Sequence, residues 1–151
     1  MNLYPEHIGE LHSAIQTVLN EYIISLKIEH NQIQVTVPLK NINEVLINLH
    51  SNPAFSFDQL IDLTAVDYPD QNPRFEVVYL LLSTTINQRL IVKILVSEGD
   101  LVPTSVNIYK SANWSEREIW DMFGIFFSGH PDLRRLLTDY GFEGHPLRKD
   151  F

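Results

Sequence analysis

Apolar residues in the first third of the chain follow two different periods. Over residues 6–20 they recur at helical spacing, at Ile8, Leu11, Ile15, Val18 and Leu19. This spacing predicts an amphipathic helix. Residues 24–28 and 33–37 instead alternate apolar and polar positions on either side of His30 and Asn31, which predicts a β-hairpin.

The middle of the chain adds a helix and a second hairpin. Asn41, with Glu44 three residues later, is typical of a capping box and predicts that a helix opens here. Residues 58–68 fit either a helix or a strand. Residues 75–83 and 89–97 predict two strands joined by a turn. The unbroken apolar run Val77–Leu82 within the first of them indicates a strand covered on both faces.

The order helix, hairpin, helix and then strands is not a repeated strand–helix–strand unit. It predicts an α+β fold, with a mostly antiparallel sheet packed with helices, followed by a C-terminal helix and an extended tail. We therefore expect an α+β globular domain over residues 1–110. Residues 111–151 would form a signature helix and an extended interaction arm, preceded by a polar connection over 98–113.

Composition narrows the possible chemistry. The chain has 151 residues, 44% of them apolar, which suits one domain with its own core. It has no cysteine, so it can hold no disulfide and no thiolate-bound zinc or iron–sulfur cluster. Its formal charge of -8 disfavours nucleic-acid binding. Its longest apolar run is far short of the about 20 residues that a membrane-spanning helix needs, and no secretory signal is visible, so we expect a soluble, cytosol-facing domain.

The stretch from Ser115 to Gly124 predicts a capped amphipathic helix. Ser115 is expected at the N-cap with Glu118 at the third helical position, and Gly124 is expected to end the helix. Arg117 and Asp121 stand four residues apart and can pair across one turn. The apolar stripe consists of Ile119, Met122, Phe123 and Phe126. A plain surface helix would show the same pattern.

The aromatic and basic residues around this helix favour a binding role instead. Trp120 and the Phe126-Phe127 pair are more aromatic bulk than a short terminal helix needs, and aromatic and arginine side chains anchor interfaces. Arg134 and Arg135 fit a solvated turn, an anion site or salt bridges to a neighbouring protein. Glu116 and Arg134 are both expected to be exposed.

One stretch of the sequence resembles a known family. Glu116-Arg117-Glu118-Ile119-Trp120-Asp121-Met122-Phe123, then six residues, then His130-Pro131-Asp132-Leu133-Arg134-Arg135-Leu136 closely resembles the signature of the 30-kDa subunit family of respiratory complex I, the bacterial NADH–quinone oxidoreductase. The resemblance makes ten residues candidates for a partner interface: Glu116, Arg117, Glu118, Trp120, Asp121, Phe123, His130, Asp132, Arg134 and Arg135. The first hundred residues carry no comparable motif.

The resemblance implies a structural and assembly subunit of the hydrophilic arm of a proton-pumping complex. Such a subunit docks to the 49-kDa-type protein, near iron–sulfur subunits, and supports electron transfer from NADH to quinone. FMN and iron–sulfur clusters would belong to partner subunits, with no catalytic site, cofactor or metal in this chain. The complex would place it on the cytoplasmic face of the bacterial inner membrane, bound only through other subunits. Family members commonly continue beyond the position of Phe151, so we expect the distal part of that interface to be missing.

Three alternatives remain open. The chain could be the equivalent subunit of a membrane-bound hydrogenase or another quinone-type dehydrogenase. It could be an autonomous metal-dependent hydrolase with His130, Asp132, Asp139 and His145 as ligands. No two of those four have the His-Glu-x-x-His spacing of a metal-binding helix, which disfavours the hydrolase. It could also be a free-standing interaction module.

Overall fold

The computed structural model describes residues 8–131 as three α-helices, one 3-10 turn and seven strands. In chain order they are α1 Ile8–Val18, β1 Ser25–Glu29, β2 Gln32–Thr36, the 3-10 turn Leu39–Asn41, α2 Ile42–Ser51, β3 Gln59–Asp67, β4 Phe75–Ser83, β5 Gln88–Val96, β6 Leu101–Pro103, α3 Ala112–Phe123 and β7 Phe126–Ser128. The ambiguous segment 58–68 is therefore a strand. No helix between residues 8 and 131 is long and apolar enough to cross a membrane.

The main sheet has the strand order β1-β2-β5-β4-β3. Only the β2–β5 pair is parallel, so the predicted α+β fold with a mostly antiparallel sheet is confirmed. His30 and Asn31 both have positive φ, 53° and 59°, as a tight two-residue turn between twisted strands requires. Both predicted hairpins are present.

One face of the sheet carries the core. Along β4 the buried residues alternate with half-buried ones, so Phe75, Val77, Tyr79 and Leu81 face inward. They join buried residues of α1, α2 and α3 in a single apolar cluster. The prediction that Val77–Leu82 is covered on both faces is wrong, because the side chains that point away from the helices are only half-buried.

Both predicted capping boxes are wrong in detail. Asn41 does stand at the N-cap of α2, but its side chain makes no capping hydrogen bond and contacts Glu44 instead, at 3.5 Å. Helix α3 begins three residues before the predicted N-cap Ser115, so that serine lies inside the helix. Ser111 occupies the N-cap, and its hydroxyl donates to the Leu60 carbonyl of β3 at 2.9 Å instead of capping α3. The predicted end is confirmed, since Gly124 has φ 77° and its N–H donates to the Trp120 carbonyl at 2.9 Å.

The segment after β5 is tied to the main sheet. Strands β6 and β7 pair in parallel as a second, two-stranded sheet. Helix α3 packs on β3, and the ring of Phe123 meets that of Phe75 edge to face, with centroids 6.4 Å apart. The proposed division of the chain at residue 110 stays a prediction.

Candidate partner-docking site

A buried carboxylate joins α3 to the loop that follows β6. Glu116 is 0% exposed, and its Oε2 accepts hydrogen bonds from the Ser105 N–H at 2.9 Å and the Ser105 hydroxyl at 3.0 Å. Its Oε1 accepts one from the Thr104 hydroxyl at 2.5 Å. The expectation that Glu116 is exposed is therefore wrong: this signature residue is an internal clamp that fixes where α3 sits.

The burial of Glu116 also changes how readily its carboxyl ionises. Burial raises the pKa of the Glu116 carboxyl above its ordinary value, since a low-dielectric surrounding disfavours the charged form. The donors on Ser105 and Thr104, and the nearby His130, act on this pKa in the opposite direction. Sequence reasoning missed Thr104 and Ser105, because nothing local marks two loop hydroxyls as the partners of a distant helix.

The charged signature residues of α3 have different surroundings. Asp121 is fully buried, whereas Glu118 is exposed. The Arg117 guanidinium lies over the Trp114 ring at 5.6 Å. Its Nε is buried with no hydrogen-bond partner in the described part of the chain. The predicted Arg117–Asp121 pair is not among the ion pairs formed within residues 8–131.

Next to the clamp lies a partly exposed apolar surface, which we call the β6–β7 patch: Leu101, Trp120 and Phe126. Leu101 and Phe126 are opposite one another in the β6–β7 register and are 61% and 42% exposed. The half-buried Trp120 ring packs edge to face on Phe126, with centroids 5.8 Å apart. Sequence reasoning singled out Trp120 and Phe126 but missed Leu101. Large apolar and aromatic side chains clustered on a surface are typical of a protein interface.

His130 links the segment after β7 to the start of α3. Its Nε2 lies 2.9 Å from the Asn113 carbonyl, so the second residue after β7 is held to the first turn of α3. The predicted site residues Asp132, Arg134 and Arg135 lie outside the described residues. The hydrolase alternative cannot be built from what is described, since Asp132, Asp139 and His145 also lie outside. Within residues 8–131 no group of three or more histidine, cysteine, aspartate or glutamate side chains could hold a metal ion.

A buried ion pair that sequence reasoning missed lies next to Phe75, the residue on which Phe123 of α3 packs. Arg74 donates from Nε and Nη2 to the two carboxylate oxygens of Asp67, at 2.6 and 2.8 Å. A third donor, Nη1, reaches Glu98 at 2.9 Å. Arg74 also lies over the ring of Phe75, which packs on Phe123. The available signal was an aspartate and an arginine flanking one short turn-rich loop.

Helix α3 is therefore fixed by the buried Glu116 contact and has the exposed aromatic residues Trp114 and Phe126 at its two ends. Sequence comparison identifies the family. The profile of the family described as "Respiratory-chain NADH dehydrogenase, 30 Kd subunit" matches residues 35–151. The chain therefore belongs to this family of complex I subunits, which confirms the resemblance.

Individual relatives are similar over nearly the whole chain. An NADH-quinone oxidoreductase subunit of Ruegeria sp. is 50% identical over 146 residues, which are 97% of this chain and 73% of the relative. Its counterpart in Rhodospirillum rubrum is 49% identical over 97% of this chain and 68% of the relative.

Solved structures share the fold. A trypsin-resistant fragment of Nqo5 superimposes with a TM-score of 0.69 at 29% identity, over 84% of this chain and 99% of that chain. A chain of the archaeal membrane-bound sulfane sulfur reductase, a respiratory membrane complex, gives a TM-score of 0.78 at 25% identity, over 94% and 85%.

Proposed function

We propose that this chain is a structural component of the hydrophilic arm of a proton-pumping NADH–quinone oxidoreductase. In this proposal it docks to the 49-kDa-type subunit and supports electron transfer from NADH to quinone without taking part in the chemistry. The observation that carries the docking role is the β6–β7 patch, in which Trp120 of the signature helix lies on the surface with Leu101 and Phe126.

The described contacts support a rigid docking element. The Glu116 clamp and the His130–Asn113 contact fix both ends of the segment from β6 to β7 around α3. A prepositioned surface loses little conformational entropy on binding, so more of its contact energy becomes affinity. A supporting subunit needs this property, because it must hold its neighbour in one place relative to the electron path.

The absence of cysteine supports the proposal that the redox groups are bound by partner subunits. With no cysteine, it cannot ligate an iron–sulfur cluster through thiolates. In this proposal FMN and the clusters belong to other subunits, and the chain has no cofactor, metal or catalytic site of its own. It reaches the cytoplasmic face of the inner membrane only through the complex.

The main alternative is the equivalent subunit of a related membrane-bound complex. This alternative is supported by the fold that the chain shares with a chain of the sulfane sulfur reductase. The relatives that are about twice as similar in sequence, 50% against 25%, are subunits of NADH–quinone oxidoreductases, which favours that enzyme.

Co-purification from the native host tests the proposal. A tagged copy of the full chain should bring down the 49-kDa-type subunit together with NADH–quinone activity, measured with added quinone. Recovery of the tagged chain alone would contradict complex membership. Recovery within a complex that lacks NADH oxidation but accepts electrons from another donor would favour the alternative.

A further inference from the structure

A small cavity lies between α3 and β3, on the side of the helix away from the β6–β7 patch. We call it the α3–β3 pocket: Thr64, Ala65, Glu118, Ile119, Met122 and Phe123 line about 240 Å³. Met122 follows Trp120 by two residues, so the two side chains point to roughly opposite sides of the helix. The pocket is therefore a second feature of α3, separate from the patch.

The size of the pocket suits one side chain. Cavities that hold small molecules or cofactors enclose about 300–1,000 Å³. At about 240 Å³ the α3–β3 pocket is smaller than that, but an inserted side chain needs much less room. Ile119, Met122 and Phe123, all almost fully buried, give it an apolar floor.

The charge at its mouth specifies what kind of side chain fits. Glu118 is exposed, and within the described residues it makes no hydrogen bond or ion pair. A purely apolar side chain entering here would take water from this carboxylate and give it no partner, which is unfavourable. Lysine and arginine combine an apolar stem with a cationic end, and so match both the floor and the mouth.

We propose that the α3–β3 pocket receives a lysine or arginine side chain from a neighbouring protein subunit, with the stem on the apolar floor and the cation at Glu118. This inference rests on the proposed function, since it requires a neighbouring subunit. It adds a second contact on the side of α3 away from the β6–β7 patch, so that neighbouring subunits would bind the helix on two sides.

Cross-linking within the assembled complex identifies the occupant. The chain has no cysteine, so Thr64→Cys supplies a single thiol at the rim for a benzophenone photoprobe. Mass spectrometry of the irradiated complex should find the probe on a partner segment that contains lysine or arginine. A probe on this same chain, on lipid, on a segment without a basic residue, or on nothing at all would overturn the inference.

Charge reversal gives an independent test. Glu118→Arg should reduce recovery of the partner subunits with the tagged chain by about tenfold or more, because facing cations repel across an interface. Glu21→Arg is the matched control, an exposed glutamate between α1 and β1 whose reversal should leave recovery unchanged. Wild-type recovery with both variants would overturn the pocket inference and leave the proposed function standing. No recovery even with the wild-type chain would overturn both.

Discussion

Glu116 of α3 accepts two hydrogen bonds from Ser105, one from its backbone N–H and one from its hydroxyl. The two residues are eleven positions apart, and the contact joins the helix to the loop after β6. A side chain in a family signature is readily taken as a binding residue. In this fold its carboxylate is used internally, so our proposal assigns partner contacts to exposed residues around it.

Removing this carboxylate should destabilise the isolated domain. We expect Glu116→Ala to lower the free energy of unfolding by about 2–4 kcal/mol, because it leaves buried donors on Ser105 and Thr104 without an acceptor. The measurement is urea unfolding followed by circular dichroism. Glu118→Ala, on the exposed side of α3, is the control and should change stability by less than about 0.5 kcal/mol. If Glu116→Ala cost no more stability than Glu118→Ala, the Glu116 hydrogen bonds would make no measurable contribution.

The raised pKa of Glu116 gives its contribution a definite pH dependence. The native state holds this proton more tightly than the unfolded state, whose pKa lies near 4.5. Stability from this group should therefore fall as pH rises from about 4.5 through the native pKa, where the unfolded chain ionises first. Relative to Glu116→Gln, which does not titrate, the wild-type domain should lose unfolding free energy over that range. An advantage that grows with pH would mean that the donors outweigh burial.

Features set by neighbouring residues could be predicted from the sequence, and features set by distant ones could not. The first hairpin was predictable because His30 and Asn31 tolerate the positive φ that its turn needs. The end of α3 was equally local, since Gly124 supplies the left-handed residue there. In both cases the determining residues lie inside the motif.

The start of α3 shows the opposite case. Ser115 satisfied the capping pattern, yet the helix begins at Ala112, and the preceding Ser111 bonds to the distant Leu60 carbonyl. The burial of Glu116 likewise depends on hydroxyls at Thr104 and Ser105 that only the fold brings near. The role of a residue such as Glu116 therefore depends on contacts that its local sequence pattern does not show.

Two buried tyrosines offer a matched test of hydrogen bonding. The Tyr109 hydroxyl donates to the Phe57 carbonyl at 2.6 Å, whereas the Tyr79 hydroxyl has no partner within residues 8–131. Tyr109→Phe should cost about 1–2 kcal/mol of stability, because the Phe57 carbonyl loses its donor, while Tyr79→Phe should be neutral or slightly stabilising. Denaturant midpoints of the two variants decide this. A larger loss for Tyr79→Phe would mean that its hydroxyl is satisfied, for example by a buried water.

Two ion pairs at different depths should differ sharply in importance. Arg74→Ala leaves the buried Asp67 carboxylate without its two-point partner and should cost about 3–5 kcal/mol. Lys27→Ala removes the exposed pair with Glu29, which has an N–O distance of 2.9 Å, and should leave stability nearly unchanged. Thermal or urea unfolding in low and high salt separates them, and only the exposed pair should respond to salt. If the two variants lost similar amounts of stability, burial would not make the Arg74–Asp67 pair more important than the exposed pair.

The β6–β7 patch should matter for assembly more than for folding. Phe126→Asp and Leu101→Asp place a charge on a surface that the proposal buries against another subunit, so NADH–quinone activity recovered with the tagged chain should fall about tenfold or more. Isolated-domain stability should change by no more than about 1 kcal/mol, because Leu101 is largely exposed and Phe126 is partly exposed. Ile24→Asp is the control, at an exposed apolar residue beside β1, the edge strand of the main sheet opposite β3, on which α3 packs. If all three variants lowered recovery equally, general loss of solubility would explain the effect and the patch would not be the docking surface.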